Sequence, residues 1–450
     1  AVGLWFESKR NHILCSLCMY FMMTANKFTL NRQAIGLTLI WIGPPLIFFF
    51  RDLLGFGNST IFTGLSYILG CFLMLNSKPL SFFKSQNIVL AFLGYFFLGL
   101  AFVYFLIFNL EKNAFSSDVI NFGILFVLIL LLLRTDDEIQ NYLPFYILIC
   151  TLLVNVALIY SISTNPNYVL GARATVQYNS QSSGDFSGNP QIYGRNGVIG
   201  MVISLLLMLK KQLNLVGGKS KLVTLLAHFN FVFSFVVLVL TQTRGNLISL
   251  VVILFLFLFL KRNKIDHLEY SHKNVVKGYY LVVISLLIYF NDKYQIIDKI
   301  TMYYDQILYV VNRAINTGVT MGKAGDNDPS AMGRVNSIEF VQKEFFYKPY
   351  NFILGNGFKY RYLDIPVLEA WVNFGLFGLF LFILFNLYIL YSVTISIRSS
   401  SIFQNFLGLI YLNVFITLFT SGRPVDTIYW IFYLILIRFM NVKSNQYILK

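Results

Sequence analysis

Of the 450 residues, 57% are hydrophobic and only 12% charged, and the mean hydropathy is +0.66. So much apolar surface, 46 Phe included, exceeds what polar side chains cover in a water-soluble globule, which leaves a polytopic membrane protein. A formal net charge of +15 would suit a nucleic-acid binder, but the Lys residues crowd short gaps between apolar runs, as cytoplasmic loops do, and nucleic acid is not expected as a partner.

A helical crossing takes about 20 apolar residues, and β-barrel strands would alternate instead of forming solid runs such as Val251 to Leu260. Apolar segments at 13–25, 34–50, 60–75, 88–108, 119–133, 143–162, 196–209, 222–240, 246–260, 277–290, 367–391, 402–420 and 427–440 predict an all-α protein with about twelve to fourteen transmembrane helices. The expected organisation is an amino-terminal helical part (1–162), a first external loop (163–195), central helices with basic gaps (196–290), a large external loop (291–366) and carboxy-terminal helices (367–450). The four cysteines, Cys15, Cys18, Cys71 and Cys150, sit in apolar runs and make neither a disulfide framework nor a zinc site.

Orientation is fixed best in the middle of the chain. Lys210, Lys211, Lys219 and Lys221 share one gap, and Lys261, Arg262, Lys264, Lys273 and Lys277 share another, so both belong on the cytoplasmic side. Counting outward places the 163–195 loop, the turn Thr241 to Gly245, the 291–366 block and the turn Ser421 to Asp426 on the periplasmic or exterior face. Counting back puts Lys9 and Arg10 on that same face if 13–25 spans. Either that segment is partial, or Gly43-Pro44-Pro45 breaks the next one in two.

The 291–366 block is the one long hydrophilic stretch. It holds Arg313, Arg334 and Arg361 among eight carboxylates, one of them Asp364. Ile296, Ile297, Ile300, Tyr303, Tyr304, Ile307, Leu308 and Val311 recur at helical spacing, which predicts an amphipathic helix on the outer leaflet. A second short helix is predicted over Val335 to Phe346, with Gly318 to Gly333 between them as a mobile lid or an inert linker.

The external face also collects Arg173, Arg195, Arg244, Arg334 and Arg423, where the positive-inside rule would deplete them. Arg offers a planar fork that grips phosphate or carboxylate in bidentate fashion, so the set points to an anionic ligand. The competing explanation is that each arginine snorkels to headgroups or pairs with loop carboxylates. Arg244 stands out because Thr241-Gln242-Thr243-Arg244-Gly245-Asn246 puts a polar hexad directly between two apolar runs. No metal cofactor is expected: His12, His228, His267 and His272 all lie away from this face, and Asp326 and Asp328, although spaced to hold a hard cation, bring too few ligands.

Several of these stretches resemble the O-antigen polymerase and ligase superfamily of bacterial envelope glycosyltransferases, over most of residues 165–425. Gly171-Ala172-Arg173-Ala174-Thr175, with Gly184 following, and Gly188-Asn189-Pro190 look like the first periplasmic loop. The hexad is similar to the family's Thr-x-Ser-Arg-Gly signature, with Thr243 in the Ser position. Gly333-Arg334, Ile353-Leu354-Gly355-Asn356-Gly357 and Gly375-Leu376-Phe377-Gly378-Leu379 look like the close of the second loop.

The resemblance implies a GT-C-like helical architecture in the bacterial inner membrane, acting on the periplasmic side. It further implies transfer of a growing glycan from undecaprenyl pyrophosphate to a hydroxyl of the next lipid-linked oligosaccharide, with membrane lipids around it. It leaves open whether a polysaccharide chain-length regulator takes part. Arg173, Arg195, Arg244 and Arg334 would clamp the pyrophosphate, with Arg313, Arg361 and Arg423 as further anion or acceptor contacts. Asp364 or Glu369 would accept the acceptor's proton. Ligases of the family carry a His where this chain has Asp364, which favours the Wzy-type polymerase over the WaaL-type ligase. A second Arg-to-Gly spacing is missing, since position 324 is Ala and position 345 is Phe. A lipid-linked oligosaccharide flippase is the alternative from another class.

Overall fold

The computed structural model describes residues 27–54, 60–76, 87–108, 115–165, 168, 173–176, 190–209, 220–261, 329–397 and 401–440. Among them the chain is all-helical, as solid apolar runs dictate. In order the helices are α1 (Lys27–Ile42), α2 (Pro44–Leu53), α3 (Thr60–Met74), α4 (Ile88–Ile107), α5 (Phe115–Arg134), a 3-10 turn (Asp137–Asn141), α6 (Leu143–Thr164) and α7 (Pro190–Leu209). They continue with α8 (Ser220–Thr241), α9 (Arg244–Lys261), α10 (Pro329–Tyr347), α11 (Pro349–Leu354), α12 (Pro366–Ser396), α13 (Ile402–Thr417) and α14 (Thr427–Phe439). Among the described residues six helices are long and apolar enough to cross a membrane, or up to seven if the bent α1–α2 pair is one span, and there are four shorter apolar helices. This is a multi-pass membrane protein. The expected segments 13–25, 277–290 and 296–311 lie outside the described residues.

The apolar rows follow the helical period and point away from the bundle. On α12, Phe377, Phe380, Leu384, Leu387 and Tyr391 are exposed at steps of three and four, and on α8 so are Leu222, Leu225 and Phe229. Such rows are stable only against hydrocarbon. The inner support is α14, buried on every side from Tyr429 to Phe439, as a helix apolar all round must be. Trp430 of α14 is stacked between Phe97 of α4 and Phe385 of α12, with centroids 5.9 and 5.8 Å away.

Gly43-Pro44-Pro45 does break its segment, bending α1 against α2 by 74°, because two successive prolines cannot donate to the preceding turn. α10 is longer than predicted. It begins at Pro329, so the Gly-, Asp- and Ser-rich stretch read as lid or linker contributes Pro329 to Gly333 to a helix. Proline is well suited to the first turn, where its missing N–H would have no partner anyway.

The helix ends sort into two faces. At one, Arg438 of α14 is 2% exposed and donates to the carbonyls of Leu132 (3.1 Å) and Thr135 (2.7 Å) while pairing with Asp137 at 2.6 Å. Arg134 closes α5 at this end, and the basic gaps after α7 and α9 leave from it. The opposite end receives the start of α7, the α8–α9 turn, α10, α11 and the starts of α12 and α14.

Candidate functional site

The second end is organised by a break in α12. Gly375 has φ +67°, a conformation that favours glycine, and interrupts the helix there. The interruption frees the carbonyls of Val372 and Asn373, which accept from the backbone N–H of Asn356 (2.7 Å) and Gly357 (3.1 Å). A Cβ on Gly375 would sit 2.0 Å from the Ile353 carbonyl oxygen. The two glycine motifs singled out in the sequence therefore pack against each other. Their contact turns the following chain, Phe358 to Ile365, back over the first turn of α12. Lys359 in that stretch pairs with the buried Asp118 of α5.

Glu369 sits in that first turn, fully buried, and its Oε2 accepts from the Leu363 N–H at 3.0 Å. Its Oε1 faces Arg423 Nη1 at 3.7 Å, and the Asn373 side chain, one turn on, is directed at the same carboxyl group. Glu369 Oε1, Asn373 Oδ1 and Arg423 Nη1 are all buried and make no hydrogen bond. The charges of Glu369 and Arg423 offset one another, but three polar atoms retain bonding capacity.

Asp364 lies just above. Tyr362 lies beside Gly422 and Asp364, and burial, followed by the Asp364 charge, pushes its phenol up to about 12. Its hydroxyl therefore stays protonated at physiological pH. Arg423 lies over its ring, 5.1 Å from the centroid. From the other side α10 comes so close that a Cβ on Gly333 would be 2.3 Å from Asp364 Oδ2. A larger residue there would have to displace the Asp364 carboxylate.

Arg195 and the backbone of Arg244 approach the same turn, residues 418–426. Arg195, in the first turns of α7, lies 4.6 Å from the centroid of Tyr429, whose hydroxyl donates to the Ser421 carbonyl at 3.2 Å. The hexad reverses the chain through Gln242 at φ +51°, and Arg244 opens α9, with Gly245 beside Thr420. Its polar residues are interior: Thr241, Thr243 and Asn246 are buried, and Asn246 donates to Thr243 at 3.0 Å and accepts from Asn413 at 3.0 Å. Arg173 is exposed where its neighbour Ala174 donates to the Leu240 carbonyl at the end of α8.

The structure thus brings Arg423, Glu369 and Asp364 together, sets Arg195 over Tyr429 at the same end, and carries the backbone of Arg173, Arg244 and Arg334 there as well. The side chains of Arg244 and Arg334, and the whole of Arg313, Asp326 and Asp328, lie outside the described residues. Arg361 is turned elsewhere, stacked 4.1 Å over Phe340 of α10. It is Arg423 that faces the buried Glu369.

Tyr362 and Asn373 belong to the site although sequence reasoning passed them over. Asn373 stands four residues after Glu369, the helical spacing that puts two side chains on one face, which was the signal available. A larger polar cluster lies deeper in the bundle. Asn230 of α8 donates to Thr151 Oγ1 (3.0 Å), Ser204 Oγ (3.1 Å) and the Gly200 carbonyl (3.2 Å), while Asn155 donates to Asn230 (3.0 Å) and Ser234 (2.8 Å).

Fold and site together define a multi-pass helical membrane protein that gathers arginines and carboxylates at one end of its bundle. No family model matches the chain, and no curated protein compared with it is similar in sequence.

Proposed function

We propose that this protein polymerises lipid-linked oligosaccharides in the manner of the Wzy-type polymerases its motifs resemble. The observation that carries the proposal is Arg423, in the turn before α14, set against the sealed Glu369 and beside Tyr362 and Asp364, with Arg195 over Tyr429 of the same helix end. A sugar held through a pyrophosphate already has a good leaving group, so the site needs cations to hold the diphosphate as the sugar–oxygen bond breaks. Arg195 and Arg423 supply them, joined by whichever of Arg173, Arg244 and Arg334 turns inward.

The two carboxylates divide the work. Glu369, sealed and tied to the Leu363 N–H, positions Arg423. Asp364, half-buried and beside Tyr362, is the group able to reach an acceptor hydroxyl and take its proton as the new glycosidic bond forms. The displaced lipid pyrophosphate leaves with the electrons of the broken bond. By the positive-inside rule the Arg438 end faces the cytoplasm and this site faces the periplasm.

The test is purified protein in nanodiscs with lipid-linked repeat unit as the sole substrate. Lengthening glycans are expected, and Arg423→Ala should slow elongation by about 10²–10³, the usual effect of removing one charge-stabilising donor. Elongation unaffected by Arg423→Ala rules out the clamp, and transfer only when a different acceptor is added indicates a ligase.

A further inference from the structure

The junction of α10 and α11 exposes apolar side chains that the site does not use. Phe346 and Tyr347 at the end of α10 and Tyr350, Ile353 and Leu354 on α11 are 81, 77, 62, 62 and 64% exposed. The opposite face is pinned to α12: Phe345 and Phe352 pack on Trp371 with centroids 4.6 and 4.9 Å away, and Trp371 donates to the Phe352 carbonyl at 3.2 Å. The stripe is held outward by a fixed inner face.

Two observations say what covers it. First, it continues a lipid-facing row: the Tyr104 hydroxyl of α4 donates to the Leu354 carbonyl at 2.7 Å, and beside that contact Leu106, Ile107 and Phe108 are 60, 65 and 52% exposed. Second, the open face of α10 changes along its length, from Asn336, Glu339, Gln342 and Lys343, with Ile338 the one exposed apolar residue among them, to Phe346 and Tyr347. A helix with that gradient lies tilted, with its polar start in water and its end at the membrane, where tyrosines and lysine stems such as Lys348 suit the headgroup boundary.

We propose that the α10–α11 junction is an interfacial anchor seated in the headgroup–acyl boundary of the leaflet at the Glu369 end. The anchor stands whether or not the protein is a transferase. Through α10, whose Gly333 abuts Asp364, it fixes the height of that carboxylate relative to the membrane surface.

The full chain in nanodiscs of acyl-brominated phosphatidylcholine tests this, with Tyr350→Trp compared against Glu339→Trp and the native tryptophan signal subtracted. The indole introduced at 350 should be quenched by the bromolipid and be several-fold less accessible to aqueous acrylamide than the one at 339. Equal access to acrylamide at both positions overturns the anchor in favour of a solvated face. An indole at 350 reached by neither quencher overturns it in favour of a protein partner. Should Tyr350→Trp fail to fold, Ile353→Trp gives the same reading.

Discussion

Glu369 and Arg423 form a pair in which the carboxylate is completely enclosed. Removing one partner of such a pair strands the other, at a cost of about 3–5 kcal/mol. Glu369→Ala is therefore expected to lower the detergent-solubilised melting temperature sharply, whereas Glu369→Gln, which still accepts from the Leu363 N–H, should lose much less. Gly333 makes the opposite case. Alanine there should stabilise α10 by up to about 1 kcal/mol through helix propensity, yet its Cβ must displace the Asp364 carboxylate. Gly333→Ala should keep or raise the melting temperature while slowing elongation; unchanged elongation would separate Asp364 from the chemistry. The sequence made Asp364, Glu369, Arg195 and Arg423 legible as charges where the membrane topology would not otherwise place them. Which carboxylate is sealed and which is open was not legible, because that depends on the chain after Gly357 folding back over α12.

At the scale of the elements, helices were legible wherever an apolar run was long. The break at Gly43-Pro44-Pro45 could be read from proline chemistry alone. The break at Gly375 could not, since a glycine in an apolar run more often continues a helix than ends one. It is the Ile353 carbonyl packed against it that makes any larger residue untenable. The start of α10 was missed for a related reason: turn-forming composition outweighed a proline suited to a first helical turn. Asparagines inside apolar runs were visible but unassigned, and they prove to join α6, α7 and α8. Asn230→Leu removes two N–H donors, shared among three acceptors, and the oxygen that accepts from Asn155. At about 0.6 kcal/mol for each interhelical bond in a membrane, the loss should approach 2 kcal/mol, measured by unfolding in mixed micelles. A change near zero would mean that apolar packing alone holds the three helices.

Across the whole molecule, charge is segregated between two ends, and the two ends use it differently. At one, Arg438 is satisfied by backbone carbonyls and Asp137, which closes the bundle. At the other, Arg195 and Arg423 lie over tyrosine rings, and Arg423 turns only its Nη1 side to the Glu369 carboxylate, at 3.7 Å. Guanidinium groups held over aromatic faces retain their forks for an anion. The most direct measurement is therefore a cryo-EM structure of the full chain in nanodiscs with undecaprenyl pyrophosphate. Density for the diphosphate is expected within hydrogen-bond reach of Arg195 and Arg423, with the lipid tail passing between helices into the bilayer. A diphosphate bound at the Arg438 end, or lipid tails on both faces with the Arg195–Arg423 region empty at saturating ligand, would contradict the assignment.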